Sequence, residues 1–185
     1  MRVIAGKYKS AKLISPRGEV RPTTDLVKGS LFSVLESKGL LRGAQCLDLF
    51  CGSGALGIEA LSRGASDCVF ADVNTSNAVA NLDKLKIACR VIKSDFRAAL
   101  RMLRDRKFDI VFCDPPYNGG YAEEALKLLI KYGMLGESGV AVIEYGSEKN
   151  LINIPKTCII DNRVFGASAF EIVRGESESG CCGNV

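Results

Sequence analysis

The sequence predicts an α/β fold built on a mostly parallel seven-stranded sheet, with helices on both faces and a small N-terminal hairpin-plus-helix extension. Three observations predict it. Short apolar runs of strand length alternate with helix-length amphipathic segments, a repetition that builds parallel sheets through right-handed crossovers. A glycine-rich turn, Gly52-Ser53-Gly54-Ala55-Leu56-Gly57, joins the apolar run Cys46-Leu47-Asp48-Leu49-Phe50 to a helical pattern. Two late runs, 156–165 and 168–174, read as a closing hairpin that adds an antiparallel edge.

Taken in order, residues 3–14 suggest a short hairpin, and residues 25–37 an amphipathic helix with Leu26, Leu31, Val34 and Leu35 turned inward. Strands are expected near residues 45–50, 67–72, 89–93, 109–113 and 139–145. Helices are expected near residues 54–63, 75–87, 96–104 and 121–132. The last stretch, residues 175–185, has almost nothing to bury and reads as a mobile tail.

Composition narrows the chemistry. A chain of 185 residues, 47% hydrophobic and 25% charged, has the usage of one ordinary globular domain. No apolar run is long enough for a membrane span, and the opening Met1-Arg2-Val3-Ile4-Ala5-Gly6-Lys7 lacks a signal-peptide core, so a cytoplasmic protein is expected. Of the eight cysteines, Cys46, Cys68, Cys89 and Cys113 fall in or beside expected strands, where small buried hydrophobes belong, and none forms a C-x-x-C pair. The chain has no histidine, which excludes Cys/His zinc sites, histidine general bases and Ser-His-Asp triads; no metal is expected. Residues 1–42 carry nine Lys/Arg against three Asp/Glu, while the remainder carries sixteen against eighteen. A basic extension on a near-neutral body is the footprint of a nucleic-acid substrate, with Arg2, Lys7, Lys9, Lys12, Arg17 and Arg21 as candidates; the alternative is a solvated lysine-rich surface.

The glycine turn matches G-x-G-x-x-G through Gly52, Gly54 and Gly57, and Asp72 follows about twenty residues later at the end of the next strand, a spacing that suits ribose hydroxyls. That pattern alone fits either a dinucleotide or S-adenosylmethionine. Asp48 helps to choose, since a carboxylate four residues before the first glycine repels a pyrophosphate but pairs with an ammonium. Backbone N–H groups around Ser53 and Gly54 would then receive the methionine carboxylate. Asp48 has a second possible role, as a helix-capping or turn carboxylate. Asp95 is placed to accept from an adenine amine, with Phe96 covering the ring, or to cap the helix that follows. Asp114-Pro115-Pro116-Tyr117 ends another strand with an acceptor, two rigid prolines and an aromatic ring, suited to holding a planar base with an exocyclic amine; an ordinary X-Pro-Pro turn is the alternative.

These motifs together carry a resemblance. Ile4-Ala5-Gly6-Lys7-Tyr8-Lys9, Arg21-Pro22-Thr23-Thr24-Asp25, the run from Asp48 to Ala65 and Asp114-Pro115-Pro116-Tyr117 resemble the RsmD family, within the Rossmann-like class I S-adenosylmethionine-dependent methyltransferases. The resemblance covers roughly residues 1–174 and implies methylation of guanine N2 in 16S ribosomal RNA of the small subunit. It implies cofactor contacts at Asp48, Phe50, Gly52, Ser53, Gly54, Asp72, Asp95 and Phe96, target-base contacts from Asp114 to Tyr117, and RNA contacts at Lys7, Lys9, Arg21 and Thr23. The organisation it implies is a basic RNA-docking extension over residues 1–42, a cofactor-binding catalytic domain over residues 43–174 and the tail. A monomer is expected, since one guanine in one pocket demands no dimer. Where the family continues after Arg-Pro-Thr with arginines and a glutamate, this chain has Leu26, Lys28 and Gly29. A lysine only partly copies an arginine's bidentate phosphate contact, so a change in RNA docking is expected there. Other readings are a DNA adenine N6-methyltransferase, which uses a similar Asp-Pro-Pro-Tyr loop, a non-catalytic cofactor-binding ribosome assembly factor, and an NAD-dependent oxidoreductase.

Overall fold

The computed structural model describes residues 1–15, 25–116, 119–146, 157–165 and 168–175. In chain order these residues form α1 (Asp25–Ser37), β1 (Gln45–Leu49), α2 (Ala55–Ser62), β2 (Asp67–Asp72), α3 (Ser76–Leu85), β3 (Val91–Lys93), α4 (Phe96–Met102), β4 (Phe108–Cys113), α5 (Tyr121–Lys131), β5 (Leu135–Gly146), β6 (Thr157–Phe165) and β7 (Ser168–Gly175). The strands form one sheet in the order β3-β2-β1-β4-β5-β7-β6. Neighbours from β3 to β5 run parallel, and β7 lies antiparallel between β5 and β6. This is the expected Rossmann-like architecture with its antiparallel hairpin edge.

Alternation of side chains divides the core in two. Cys46, Cys68, Phe70, Ile110, Phe112 and Val142 pack with residues of α1, α2 and α3. Leu47, Leu49, Val69, Val111, Cys113 and Ile143 pack with α4 and α5. Central strands covered on both faces have no polar face to show, so their sequences read as unbroken apolar runs. Among the described residues no helix is long and apolar enough to cross a membrane.

Several expectations are corrected. Leu26 is 74% exposed rather than inward. The buried stripe of α1 is Val27, Lys28, Leu31, Phe32, Val34 and Leu35. Leu26 instead shares the outer face with Ser30 and Ser33, four and seven residues on. β3 is shorter than residues 89–93, spanning Val91–Lys93, although the Arg90 carbonyl just before it still accepts from the Phe70 N–H of β2 at 2.9 Å. The predicted hairpin of residues 3–14 is a looped arm with a single bridge, Arg2 to Lys12, rather than two strands. Its turn includes Gly6 at φ +80°, whose hypothetical Cβ would lie 1.8 Å from the Ser62 carbonyl oxygen, so only glycine permits this approach to α2.

Lys28 carries the sharpest correction. It contacts no solvent: its ammonium donates to the Arg2 carbonyl at 2.5 Å and sits 3.4 Å from Glu59, itself fully buried on α2. Burial pulls the Lys28 pKa down, against the pull of Glu59. Glu59 also accepts from the N–H groups of Ile4 (2.8 Å) and Ala5 (3.1 Å) and from Arg63 Nε (2.8 Å). Lys28 therefore fastens the arm to the body and is not a phosphate ligand. The arm and α1 bury Val3, Leu13, Val27 and Leu31 in the same apolar cluster as Phe70 and Phe112 of the sheet.

Candidate functional site

β1 is flanked by β2 on one side and by β4 on the other, and the chain leaves the three strands at one edge of the sheet. Strand order reverses here, which opens a crevice beyond the carboxyl ends. The register sets Leu49 beside both Ala71 and Cys113, so Phe50, Asp72 and Asp114 stand at adjacent strand tips. Four of the proposed contacts, Phe50, Gly52, Asp72 and Asp114, thus come to one crevice rim, while Asp48 lies buried in β1 one residue before its end.

The turn after β1 is built from left-handed residues, Phe50 (φ +63°), Gly52 (φ +51°) and Gly54 (φ +75°). A Cβ on Gly52 would meet nothing within 4 Å, so the turn's surface is open there. At Gly57 a Cβ would lie 2.5 Å from the Phe70 ring, so the third glycine lets α2 lie close on β2. The Gly52 N–H donates to Asp72 Oδ2 at 2.8 Å, and Asp72 Oδ1 accepts from Asn74 N–H at 2.8 Å. Asp72 is therefore tied to the turn. The Gly54 N–H donates to the Cys51 carbonyl at 2.6 Å, which narrows the expected carboxylate receptor to the N–H groups of Ser53, Ala55 and Leu56.

Asp48 is buried beneath that turn, its Oδ2 accepting from the Gly57 N–H at 2.9 Å. This is the helix-capping geometry of its second reading, reached from the neighbouring strand. Desolvation pushes the Asp48 pKa up to about 8; the Gly57 N–H pulls it back, and the negative charge of Asp72 adds to the rise. A carboxyl kept mostly protonated at neutral pH under a glycine turn is one that a cation above it would ionise.

Asp95 caps α4 by accepting from the Arg97 N–H at 2.9 Å. Its proposed partner Phe96 is buried, with Phe50 at 5.0 Å and Tyr121 at 5.9 Å between ring centroids. The Arg97 guanidinium lies 4.4 Å over the Phe96 ring and is held by Glu124 of α5. Phe96 therefore supports an aromatic wall in which Phe50, half-buried at the crevice, is the more accessible ring. Asp114 is half-buried, Pro115 buried and Pro116 exposed, while Tyr117 lies outside the described residues. Burial raises the thiol pKa of Cys113, and the negative charge of Asp114 raises it further. Buried beside a carboxylate, that thiol is no nucleophile.

Lys7 and Lys9 are exposed on the arm's turn, where the Lys7 N–H donates to the Ser62 carbonyl at 2.7 Å. Ser62 ends α2, so these lysines stand about one helix length, roughly 12 Å, from the glycine turn. They flank the site rather than line it. Arg21 and Thr23 lie outside the described residues. Sequence reasoning missed Glu59 and Asn81, both fully buried polar residues on helices next to the turn. The available signal was position: Glu59 sits in a helix that is apolar all round, and Asn81 falls on the stripe of Ala78 and Leu82.

The family model described as Conserved hypothetical protein 95 matches residues 1–174. Ribosomal RNA small subunit methyltransferase D of Escherichia coli (strain K12) is 34% identical over 184 residues, covering 96% of this chain and 91% of that protein. The solved structure of yhhF from Escherichia coli is 34% identical with a TM-score of 0.84, covering 96% of this chain and 99% of that one. A more remote structure, SMU.776 complexed with SAH, is 16% identical with a TM-score of 0.57 over 72% of this chain and 45% of its own length, and shows the shared fold alone. A matched model spanning the arm, the glycine turn and the Asp114 strand tip, together with a relative one-third identical end to end, places the chain in the RsmD family of rRNA methyltransferases.

Proposed function

We propose that the protein transfers a methyl group from S-adenosylmethionine to the exocyclic N2 amine of a guanine in 16S ribosomal RNA, acting in the cytoplasm as a monomer on the small subunit or its assembly intermediate. The observation that carries this reading is the shared crevice: the Asp72-braced glycine turn and the Asp114-Pro115-Pro116 strand tip border it from adjacent strands. The residues present fit the cofactor. Gly52 leaves open room above the turn, Asp48 offers a carboxyl beneath it, and Asp72 keeps lone pairs for ribose hydroxyls beyond its two backbone bonds. SAH, present in the remote SMU.776 structure, is what S-adenosylmethionine becomes on giving up its methyl.

When bound, S-adenosylmethionine supplies an electrophilic methyl group on its sulfonium. The work left to the protein is aiming a weak nucleophile, because the guanine amine's lone pair is delocalised into the ring. Asp114 and the Pro115 carbonyl would accept hydrogen bonds from the two amine hydrogens, localising the lone pair and pointing it across the crevice; one of those protons is lost to solvent during or after transfer, so Asp114 need not be a strong base. The two prolines keep that acceptor pair from relaxing away. Stacking on Tyr117, about 1–3 kcal/mol by analogy with single-strand binders, would offset part of the few kcal/mol needed to unstack the target base. The lysines of the arm would hold phosphates flanking the target, giving affinity without base choice.

The test is incubation with labelled S-adenosylmethionine and, separately, small subunits from cells lacking the protein, naked 16S RNA and DNA, followed by identification of the labelled nucleoside. N2-methylguanosine from the subunit is the expected product; label in N6-methyladenine from DNA would refute the substrate. Asp114→Ala should lower methylation more than tenfold while cofactor affinity stays near wild type. A smaller loss, under about 1.4 kcal/mol of transition-state stabilisation, would remove Asp114 from the mechanism.

A further inference from the structure

Asn81 of α3 is fully buried between two segments that otherwise belong to different halves of the proposed machinery. Its Oδ1 accepts from the Ile14 N–H at 2.7 Å, and its Nδ2 donates to the Ile14 carbonyl and to the Ser53 carbonyl, both at 2.9 Å. Rotating the amide by 180° would turn an oxygen on two carbonyls and an NH2 on an N–H, so the bonding fixes its orientation. One side chain thus closes both backbone groups of the arm at Ile14 while holding the glycine turn by Ser53. The arm meets the turn at its other end too, where Ser53 Oγ donates to Met1 Sδ at 3.6 Å. Among the described residues the arm's other side-chain anchors, at Asp25, Lys28, Glu59, Ser62 and Lys84, touch α1, α2 or α3 but not the turn.

We propose that Asn81 is a positioning residue that couples the N-terminal arm to the cofactor turn, so that a ligand seated on the turn tightens the arm, and RNA gripped by the arm tightens the turn. This rests on the cofactor reading above. The physical argument is that the Ser53 carbonyl cannot shift without stretching a bond to Asn81, and Asn81 cannot follow without breaking a bond to Ile14. In a buried site an amide group left unbonded costs far more than the bond itself contributes, so the three groups move together. Coupling of this kind is reciprocal: the factor by which SAH disfavours opening of the arm is the factor by which opening of the arm weakens SAH. It also gives the exposed lysines of the arm an influence on a site about a helix length away, without touching it.

Amide hydrogen exchange of the full chain, with SAH as the probe and calorimetry to establish its binding, tests the coupling. In the wild type SAH should slow exchange at Val3, Leu13 and Ile14 by about tenfold, within the range usual for linked sites. In Asn81→Asp the side chain still accepts from Ile14 but cannot donate to either carbonyl; SAH should bind, and its protection of the arm should fall below twofold. Lys84→Met removes the bond from Lys84 Nζ to the Lys12 carbonyl, which does not involve the turn. It should speed arm exchange yet keep the tenfold response to SAH, which separates coupling from simple anchoring. Should Asn81→Asp not fold, the wild type still decides, because SAH that binds and leaves the arm's exchange unchanged overturns the proposal. A full tenfold response in Asn81→Asp also overturns it, and SAH that does not bind at all overturns the cofactor reading and this inference together.

Discussion

Two carboxylates are buried against α2, and their surroundings differ. Glu59 is met by two backbone N–H groups, by Arg63 Nε and by the Lys28 ammonium 3.4 Å away. Asp48 receives one N–H, that of Gly57, and has the negative charge of Asp72 nearby. Burying a carboxylate is costly until its lone pairs are filled. Around Glu59 they are filled, so the charge is a fixed clamp on the arm. Beneath the glycine turn a single N–H meets them among the described residues, and burial keeps the carboxyl mostly protonated at neutral pH. A saturated carboxylate builds structure; an undersaturated one has lone pairs to offer a ligand. On the proposed function, that ligand is the ammonium of the cofactor.

The contrast is broken most forcibly at Glu59. Glu59→Ala would strand the Lys28 cation inside the protein and free the N–H groups of Ile4 and Ala5, a loss of about 3–5 kcal/mol for breaking a buried pair. For a chain of this size that is a fall in Tm of roughly 10 °C, read by thermal unfolding. A loss below about 1 kcal/mol would mean that the clamp is not what holds the arm.

Asp48→Asn should act in the opposite sense on stability and strongly on binding. The asparagine oxygen can still accept from Gly57, while the charge that would pair with an ammonium is gone. SAH affinity should drop about 10- to 100-fold, the worth of a charged hydrogen bond at about 1.5–3 kcal/mol. The sign of the pH effect follows from the upward shift. Between the ordinary value of 3.8 and about 8 the native carboxyl keeps a proton that the unfolded chain has lost, so stability falls as pH rises through that window. Urea unfolding at pH 5 and pH 8 should show that decline in the wild type and a flatter response in Asp48→Asn. An unchanged pH response would show that Asp48 is already compensated, like Glu59.

The same contrast explains what the sequence could reveal. Gly52, Asp72 and the Asp114 strand tip sit just beyond or at strand ends, and Gly54 and Gly57 at the start of α2, where local chain geometry dictates residue type, so order and spacing were enough to place them. The sheet was equally legible, because strands buried on both faces announce themselves as apolar runs. Glu59, Lys28 and Asn81 act across long sequence separations, and a charged or amide residue within a helix looks like surface until its neighbours are known. Lys28 misleads for that reason: standing where the family has arginines, it suggests a partial phosphate contact, whereas its position on the stripe of Leu31 and Leu35 places it inside. Asp95 and Phe96 were located correctly along the chain, but the Arg97 and Tyr121 contacts that cover Phe96 depend on how α4 meets α5.

The smallest effect belongs to Gly29, one residue beyond Lys28 in α1. A Cβ there would meet only Ile4 Cδ1, at 3.8 Å, an ordinary contact. Alanine loses less backbone entropy in a helix than glycine, so Gly29→Ala should stabilise the protein by about 0.5–1 kcal/mol and raise Tm by roughly 2–3 °C. Its value lies in what should stay constant. The Glu59 clamp already keeps α1 and the arm closed in nearly every molecule, and a ligand gains nothing when a state that is fully populated is made more stable. SAH affinity should therefore stay within twofold of wild type by calorimetry, although the Asn81 bonds link arm and turn. If Gly29→Ala tightened SAH severalfold, a sizeable share of the wild-type molecules would have to hold the arm open, and the clamp at Glu59 would itself be a switch rather than a fixture.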